Sequence, residues 1–525
     1  MSPETPWRPR ANPWLIAVVV ALAAFMEVLD TSIANVALPY VAGSLGASND
    51  ESTWVLTSYL VSNAIVLPIS GWLAGALGRQ RFFMLCLFVF TVSSAMCGLA
   101  PSLGVLLFFR VLQGAGGGGL QPMAQAILAD TFPPEKRGLA FALYGITTIV
   151  APTVGPTQGG WITFNYSWRW IFFINIPVGV VTLFLVKRLV EDPPYLARQR
   201  TAGVRLDYVG IALLTLGVGA LQVLLDKGQE DDWFGSRFIT SLAVVSAVCL
   251  VALVIWEWFH KAPIVDVHLF RNFNFAGASL MMFMLGILLF ASLVMMPQFL
   301  QTLVGYTSQI AGLAISAGGL ALLFEMPLVG KLTTKVQARY LIAFGWLALS
   351  VAMLYSTRRI DLQISFRAAL WLRVAQVIGL GFLFVPITLV AYIGIPSAKN
   401  NAVAGLINFF RNIGSSVGTS MVTTLIARRS QHHQGRLVEH VRPDNPTLQN
   451  VVSGLTDHFA RGGLGTNEAR MRAYAQIYRE LQAQAATLAY IDTFKVLAVA
   501  AGIMVFLAFM LKRNDPAGGG ELAAA

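Results

Sequence analysis

Six ionisable side chains lie inside long apolar runs of this chain: Glu27, Asp30, Arg110, Glu325, Arg373 and Arg411. An ionised group at mid-membrane costs about 2.5–3.5 kcal/mol on insertion scales, so each one marks a candidate functional position. Glu27 and Asp30 are three residues apart and share one face of a helix. Two carboxylates crowded there titrate as a unit, which suits a carrier that takes up and releases protons. Arg110 matches them in depth. Asp30 is about nine residues, and Arg110 about seven, from the outer ends of their runs, which puts both roughly 10–14 Å in. They can therefore pair. Either Arg110 holds Asp30 ionised until the pair separates and Asp30 takes a proton, or the pair only orders two helices. Glu325 and Arg411 form a second possible charge pair nearer the inner face. Glu325 can also snorkel to the inner surface or meet Lys331.

The elements that must position these groups are membrane spans. Runs long enough to cross the hydrocarbon core fall near 14–39, 53–77, 82–100, 103–129, 138–162, 169–187, 207–226, 238–259, 274–300, 309–331, 339–357, 367–392, 402–427 and 490–511. Fourteen spans place both termini on one side. With the N-terminus inside, the inner segments hold 19 Lys and Arg and the short outer loops hold six. That asymmetry fixes the orientation.

The composition agrees. The chain has 525 residues, 56% hydrophobic and 12% charged, about half the charge of a soluble domain. Its net charge of +11 follows from topology and implies no nucleic-acid partner. The first apolar run is too long for a signal peptide. Cys86, Cys97 and Cys249 have neither metal nor disulfide spacing, and no metal site is expected. Enzyme motifs (HExxH, GxSxG) and a nucleotide-binding P-loop do not occur. A transporter built this way draws on an ion gradient and needs no cofactor. The 428–489 segment lies outside, and its part from Asn467 to about Ala489 reads as an amphipathic surface helix, with Asn467 as N-cap and Met471, Tyr474, Tyr478 and Leu481 on its apolar face.

The chain repeats itself. Pro39 matches Pro297 at an offset of 258, and Pro68-x-x-Gly71-x-Leu73 matches Pro327-x-x-Gly330-x-Leu332 at 259. Gly155 and Gly159 match Gly414 and Gly418, again at 259, and Arg110-Val-x-Gln113 matches Arg373-Val-x-Gln376 at 263. Two six-helix halves with two inserted helices follow. The expected division is 1–190 as the first half, 191–260 as a basic inner linker with the inserted helices, 261–427 with 490–525 as the second half, and 428–489 as the long outer loop.

One stretch joins architecture to direction of transport. Gly145, Pro152, Gly155, Pro156, Gly159 and Gly160 fall within a single span. Its prolines kink a helix and its small residues admit a close neighbour, so it can be a packing face alone. Its pattern, G-x(6)-P-x-x-G-P-x-x-G-G, also resembles the span-five antiporter motif of exporters in the major facilitator superfamily. Leu29 to Pro39 resembles the first-span motif of the fourteen-span drug:proton antiporters (EmrB/QacA type). Gly71-Trp-Leu-Ala-Gly75-Ala-Leu-Gly78-Arg79-Gln-Arg81 resembles the superfamily's inner-loop motif, Arg110 to Gly119 its span-four motif, and Trp168 to Pro177 a stretch typical of the fourteen-span branch. The long loop before the last span resembles EmrB-like pumps.

This resemblance implies an all-α membrane protein with the major facilitator fold, in the bacterial inner membrane. It implies proton-coupled export of lipophilic drugs or toxic compounds by alternating access, with a periplasmic membrane-fusion adaptor and an outer-membrane channel as partners. It assigns proton coupling to Arg110 and an inner gate to Gly71, Gly78, Arg79 and Arg81. Gly75 departs from the motif, which usually has an acid there, and Asp130 is placed to meet Arg79 or Arg81 instead. Asn35, Gln113 and Arg373 are candidates for the substrate cavity. An exporter of one endogenous metabolite or siderophore-like compound would share every one of these features.

Overall fold

A computed structural model describes residues 9–193, 207–260 and 263–512. The basic linker expected before the inserted helices falls largely outside them. Among the described residues the chain is helical, with short 3-10 turns. The helices are α1 (Pro13–Leu45), α2 (Asn49–Leu77), α3 (Arg79–Leu99), α4 (Leu103–Gly117), α5 (Leu120–Thr131), α6 (Pro134–Asn165), α7 (Trp170–Phe173) and α8 (Asn175–Leu189). The inserted pair follows as α9 (Tyr208–Lys227) and α10 (Arg237–Phe259). Then come α11 (Phe273–Thr302), α12 (Ser308–Leu332), α13 (Ala338–Thr357), α14 (Phe366–Ala391), α15 (Asn400–Val438), α16 (Pro446–Arg461) and α17 (Thr466–Met510).

Local chemistry sets several ends. Asn12 caps α1 through Trp14 N–H, with Pro13 at the first position, and Gly46 ends it at φ +65°. This is the left-handed stop that glycine supplies without strain. Ser48 and Glu51 form a reciprocal capping box on α2. Span four is broken between α4 and α5 at Gly118-Gly119. Its glycine run lets it touch backbone on both sides, since a Cβ at Gly116 would meet Phe90 N at 2.7 Å and one at Gly118 would meet Asn63 O at 2.7 Å.

Helix α6 continues through Pro152 and Pro156. Pro156 cannot donate to the carbonyl four residues back, and inside a membrane an orphaned carbonyl is costly. The Ser32 hydroxyl of α1 donates to that Pro152 carbonyl at 3.1 Å. Gly155 and Gly159 lie against Ser32 and Ile33. The proline–glycine stretch thus clamps α6 onto α1 within one turn of Asp30. The repeat does the same in its second copy, where Gly414 and Gly418 bring α15 against the Phe283 and Ile287 backbone of α11.

Thirteen helices among the described residues are long and apolar enough to cross a membrane. The remaining expected span, 402–427, lies in α15, which is long enough but polar. Asn400, Asn401, Asn408 and Arg411 are all buried along it, and it packs among α2, α5, α11 and α17. Its polarity faces protein rather than lipid, which is where polar membrane residues are tolerated.

The outer segment differs from expectation. Helix α15 runs on to Val438, and α17 runs unbroken from Thr466 through the last span. The expected amphipathic helix is therefore the projecting half of the final helix. Its cap is Gly465, not Asn467. Of the expected apolar face Leu481 is buried, together with Ala469 and Ala473, while Met471, Tyr474 and Tyr478 are exposed; α15 and α16 both pack on this helix.

Candidate functional site

Asp30 and Arg110 meet as expected. Arg110 Nη1 lies 2.7 Å from Asp30 Oδ2, and both side chains are essentially inaccessible. The carboxylate also accepts from Gln113 Nε2 at 2.9 Å and Asn175 Nδ2 at 2.6 Å. Arg110 donates further to Gln113 Oε1 at 2.8 Å and to the Val55 carbonyl at 2.9 Å, and it stacks 4.3 Å from the Tyr59 ring. Asn175 is fixed in turn by Ser94, at 3.0 Å. Every partner comes from α1, α2, α3, α4 or α8. A buried ion pair needs such extra hydrogen bonds to offset desolvation.

Glu27 is one turn inward but belongs to a different network. It accepts from Tyr59 Oη and Asn63 Nδ2, each at 3.1 Å, and from Gln121. No hydrogen bond joins the two carboxylates directly. They diverge because each is drawn to its own neighbours, and Tyr59 links them, with its ring on Arg110 and its hydroxyl on Glu27. The Glu27 network crosses to the second bundle. Arg411 donates to Gln121, Asn412 lies 3.5 Å from Asn63 Oδ1, and Asn408 donates to Gln125 at 2.7 Å. Tyr144 Oη lies 3.2 Å from Gln121 Oε1 and 3.3 Å from Asn408 Oδ1.

The expected pair of Glu325 with Arg411 does not form. Arg411 faces α5 and the Phe384 ring, 5.7 Å from its centroid. Glu325 points to the other side of α12, against the backbone of Gly381 on α14. Among the described residues it has neither an ion-pair partner nor a side-chain hydrogen bond, and Lys331 does not reach it. Of the three cavity candidates, only Asn35 is exposed. Gln113 belongs to the Asp30 network. Arg373 is buried, donating from Nη1 to Ser292 Oγ at 3.0 Å.

The inner ends are bridged. Gly78, at φ +92°, makes the turn that sets Arg79 at the start of α3. Arg79 pairs with Asp130 at 2.6 Å and donates from Nε to Asn401 at 2.9 Å, while Asn400 donates to Asp130 at 2.6 Å. Arg81 is exposed. Asp130 thus takes the place of the acid missing at Gly75, and α15 closes over both. Gly71 lies so near Ala402 that a Cβ would come within 2.8 Å of its Cα, and Phe141 stacks on Tyr392 at 5.7 Å. No extended contact joins α1 to α11 among the described residues. This conformation is closed on the inner side.

Reading charges alone missed Tyr59, Asn63, Gln121, Asn175, Asn400, Asn401 and Asn408. The available signal was uncharged but still polar: an amide or phenol within an apolar span must also find a partner. Among the described residues no group of three ligating side chains can hold a metal ion.

Residues 20–419 match the profile of the Major Facilitator Superfamily. The chain is 37% identical over 506 residues to the multidrug export protein EmrB of Escherichia coli K12, covering 96% of each chain. It is 40% identical over 449 residues to EmrB of Haemophilus influenzae, covering 84% of this chain and 87% of that one. Among solved structures, the proton:xylose symporter XylE superposes with a TM-score of 0.56 at 16% identity, over 79% of this chain and 90% of XylE. That likeness speaks for the fold alone.

Proposed function

The chain belongs to the major facilitator superfamily, among its EmrB-like multidrug exporters, and from that premise we propose how it couples export to protons. It is a multi-pass protein of the bacterial inner membrane that moves drugs outward by proton-coupled alternating access. In our reading the proton gradient is the sole energy source, and Asp30 is the carrier. The carrying observation is the Asp30 carboxylate, sealed by Arg110, Gln113 and Asn175 within one bundle.

Protonating Asp30 from outside cancels its charge and leaves the Arg110 guanidinium buried and uncompensated. That state is expensive, so protonation favours a rearrangement of α1 against α4. Tyr59 passes the change from Arg110 to Glu27. The Glu27 network spans both bundles through Gln121 and Arg411, so it reports whether the halves are closed at that level. The inner bridge of Arg79, Asp130, Asn400 and Asn401 must break for drug to enter from the cytoplasm.

In this reading the halves are 1–190 and 261–427 with 490–525, and α9 and α10 are an insertion. The α6 stretch from Gly145 to Gly160 keeps α1 and Asp30 in register with the rocking interface. A periplasmic membrane-fusion adaptor, leading to an outer-membrane channel, docks on the projecting helices of 428–489. Copurification of such an adaptor, lost on deleting 467–485, would support that docking, and retention would refute it.

The test of coupling is dye or uncoupler transport in proteoliposomes under an imposed pH gradient. Asp30→Asn should abolish gradient-driven transport and keep drug binding. Gradient-driven transport that survives the substitution would remove Asp30 as the carrier.

A further inference from the structure

The two seams between the halves are closed in different ways. On one side α6 and α12 touch from near their outer ends to their inner ends, with Gly312 against Thr157, Gly319 against Thr153 and Gly330 against Gly138. On the other side, contact between α2 and α15 starts at the inner end with Gly71 on Ala402. It runs outward through Gly405 on Leu67 to Asn412 beside Asn63. Beyond that level both helices are bonded to a third, the inserted α9. Gln222 of α9 is fully buried. Its Nε2 donates to Ser416 Oγ of α15 at 2.8 Å, and that hydroxyl lies 3.1 Å from Gln222 Oε1. One turn outward, Asp226 accepts from the Thr57 hydroxyl of α2. Its neighbour Lys227 is buried and donates to Thr53 and to the Asp50 carbonyl, with the Trp54 ring 5.7 Å away. The loop that follows reaches α15 again, where Trp233 Nε1 lies 3.2 Å from Thr424 Oγ1. The turn that aims this indole holds Asp232 and Trp233 at φ +56° and +46°. A bulky residue adopts that left-handed conformation only when its surroundings hold it there.

The two sets of bonds differ in kind. Those to α2 use a carboxylate and an ammonium, and hydrogen bonds to charged groups are the stronger ones. Those to α15 join neutral groups. When the halves rock, α9 therefore stays with α2 and the contacts to α15 give way. We propose that α9 is a lateral seal, anchored on α2 and sliding on α15, which keeps the outer part of this seam closed to lipid while the exit path is open. This rests on the export reading above and extends it to the inserted helices. A lipophilic compound released beside a seam open to hydrocarbon partitions back into the bilayer. Gln222 and Trp233 are then positioning residues that seat α9 across the gap.

The test has two arms, both on the full chain. The first is disulfide yield in lipid nanodiscs under a mild oxidant, read by mass spectrometry, with single-cysteine variants as blanks. One pair, Gln222→Cys with Ser416→Cys, joins α9 to α15. The other, Gly219→Cys with Val61→Cys, joins α9 to α2, where a Cβ at Gly219 would lie 3.7 Å from Val61 Cγ1. Both pairs should cross-link. Adding Arg79→Ala, which breaks the inner bridge and favours the state closed outside, should lower the 222–416 yield severalfold and leave the 61–219 yield unchanged. Equal retention of both would mean that α9 does not slide, and loss at 61–219 alone would anchor it on α15; either overturns the proposal. The second arm is gradient-driven transport of the methyl, butyl and octyl esters of fluorescein by proteoliposomes. Gln222→Leu should carry the methyl ester at the wild-type rate and lose more of the rate with each longer chain. An equal loss for all three would reduce α9 to a structural support, and no loss would remove Gln222 from the seal. Wild-type protein that moves none of the esters would count against the export reading, whereas the cross-link yields judge the seal without transport.

Discussion

The two halves hold the same arginine and glutamine at matching places in the repeat, yet treat them differently. In the first, Arg110 and Gln113 converge on Asp30, with Asn175 completing the shell. In the second, Gln376 turns to Ser356, and Arg373 reaches the hydroxyl of Ser292 on α11, where Arg110 in the first half meets an acid on α1. The frame is shared down to the glycine pair that brings α6 onto α1 and α15 onto α11. The charge complement is not. A duplicated scaffold can thus keep its packing while one copy holds a buried ion pair and the other a buried cation with no acid partner among the described residues. Packing depends on shape at many contacts, whereas the chemistry turns on a single residue.

The sharpest way to break this contrast is to remove the acid. Asp30→Asn should eliminate gradient-driven transport, whereas Arg373→Gln should leave transport of neutral drugs intact. Proteoliposome assays of the two variants side by side would show it.

Stability should diverge next. Asp30→Leu leaves Arg110 buried and unpaired, and breaking one partner of such a pair costs about 3–5 kcal/mol. Arg373→Met removes a buried cation with no acid partner among the described residues, so its thermal midpoint in detergent should stay level or rise. Equal losses in both variants would mean that Arg373 has a compensating partner.

Supplying the acid would erase the difference. Ser292→Asp, at the hydroxyl that Arg373 already reaches, should pair with Arg373 and make Arg373→Met destabilising in that background. An Arg373→Met midpoint that stays level in that background would show that an acid at residue 292 does not reach the guanidinium.

The smallest effect should come from Glu27→Gln. Tyr59 and Asn63 can still donate to an amide oxygen, but the amide's NH2 meets the donating side of Gln121. One unmatched buried contact costs about 1–3 kcal/mol, so the transport rate should fall severalfold rather than vanish. Complete loss of transport would move the proton carrier to Glu27.

Much of this was legible in the residues themselves. A charge inside an apolar run is conspicuous because it is expensive, and depth counted along two helices was enough to pair Asp30 with Arg110. The repeat was legible because glycine and proline mark backbone requirements. Partner choice across helices was not. Each residue turns a helix by about 100°, so a small error in rotation sends Arg411 to Gln121 instead of Glu325. Gln113 looked like a cavity residue for the same reason. The span 402–427 was legible despite its polar face, because Asn408 and Arg411 are few against its apolar residues and are buried against protein. The outer helix misled because Ala469 and Ala473 are buried beside Leu481, while Met471, Tyr474 and Tyr478 are exposed.

In our reading Asp30 carries the proton and Glu27 serves the contact between the halves. The direct measurement is proton release on drug binding by purified protein in weakly buffered detergent, followed with a pH indicator, in wild type, Asp30→Asn and Glu27→Gln. Release is expected from wild type and Glu27→Gln, and none from Asp30→Asn. Release that persists in Asp30→Asn and disappears in Glu27→Gln would contradict it.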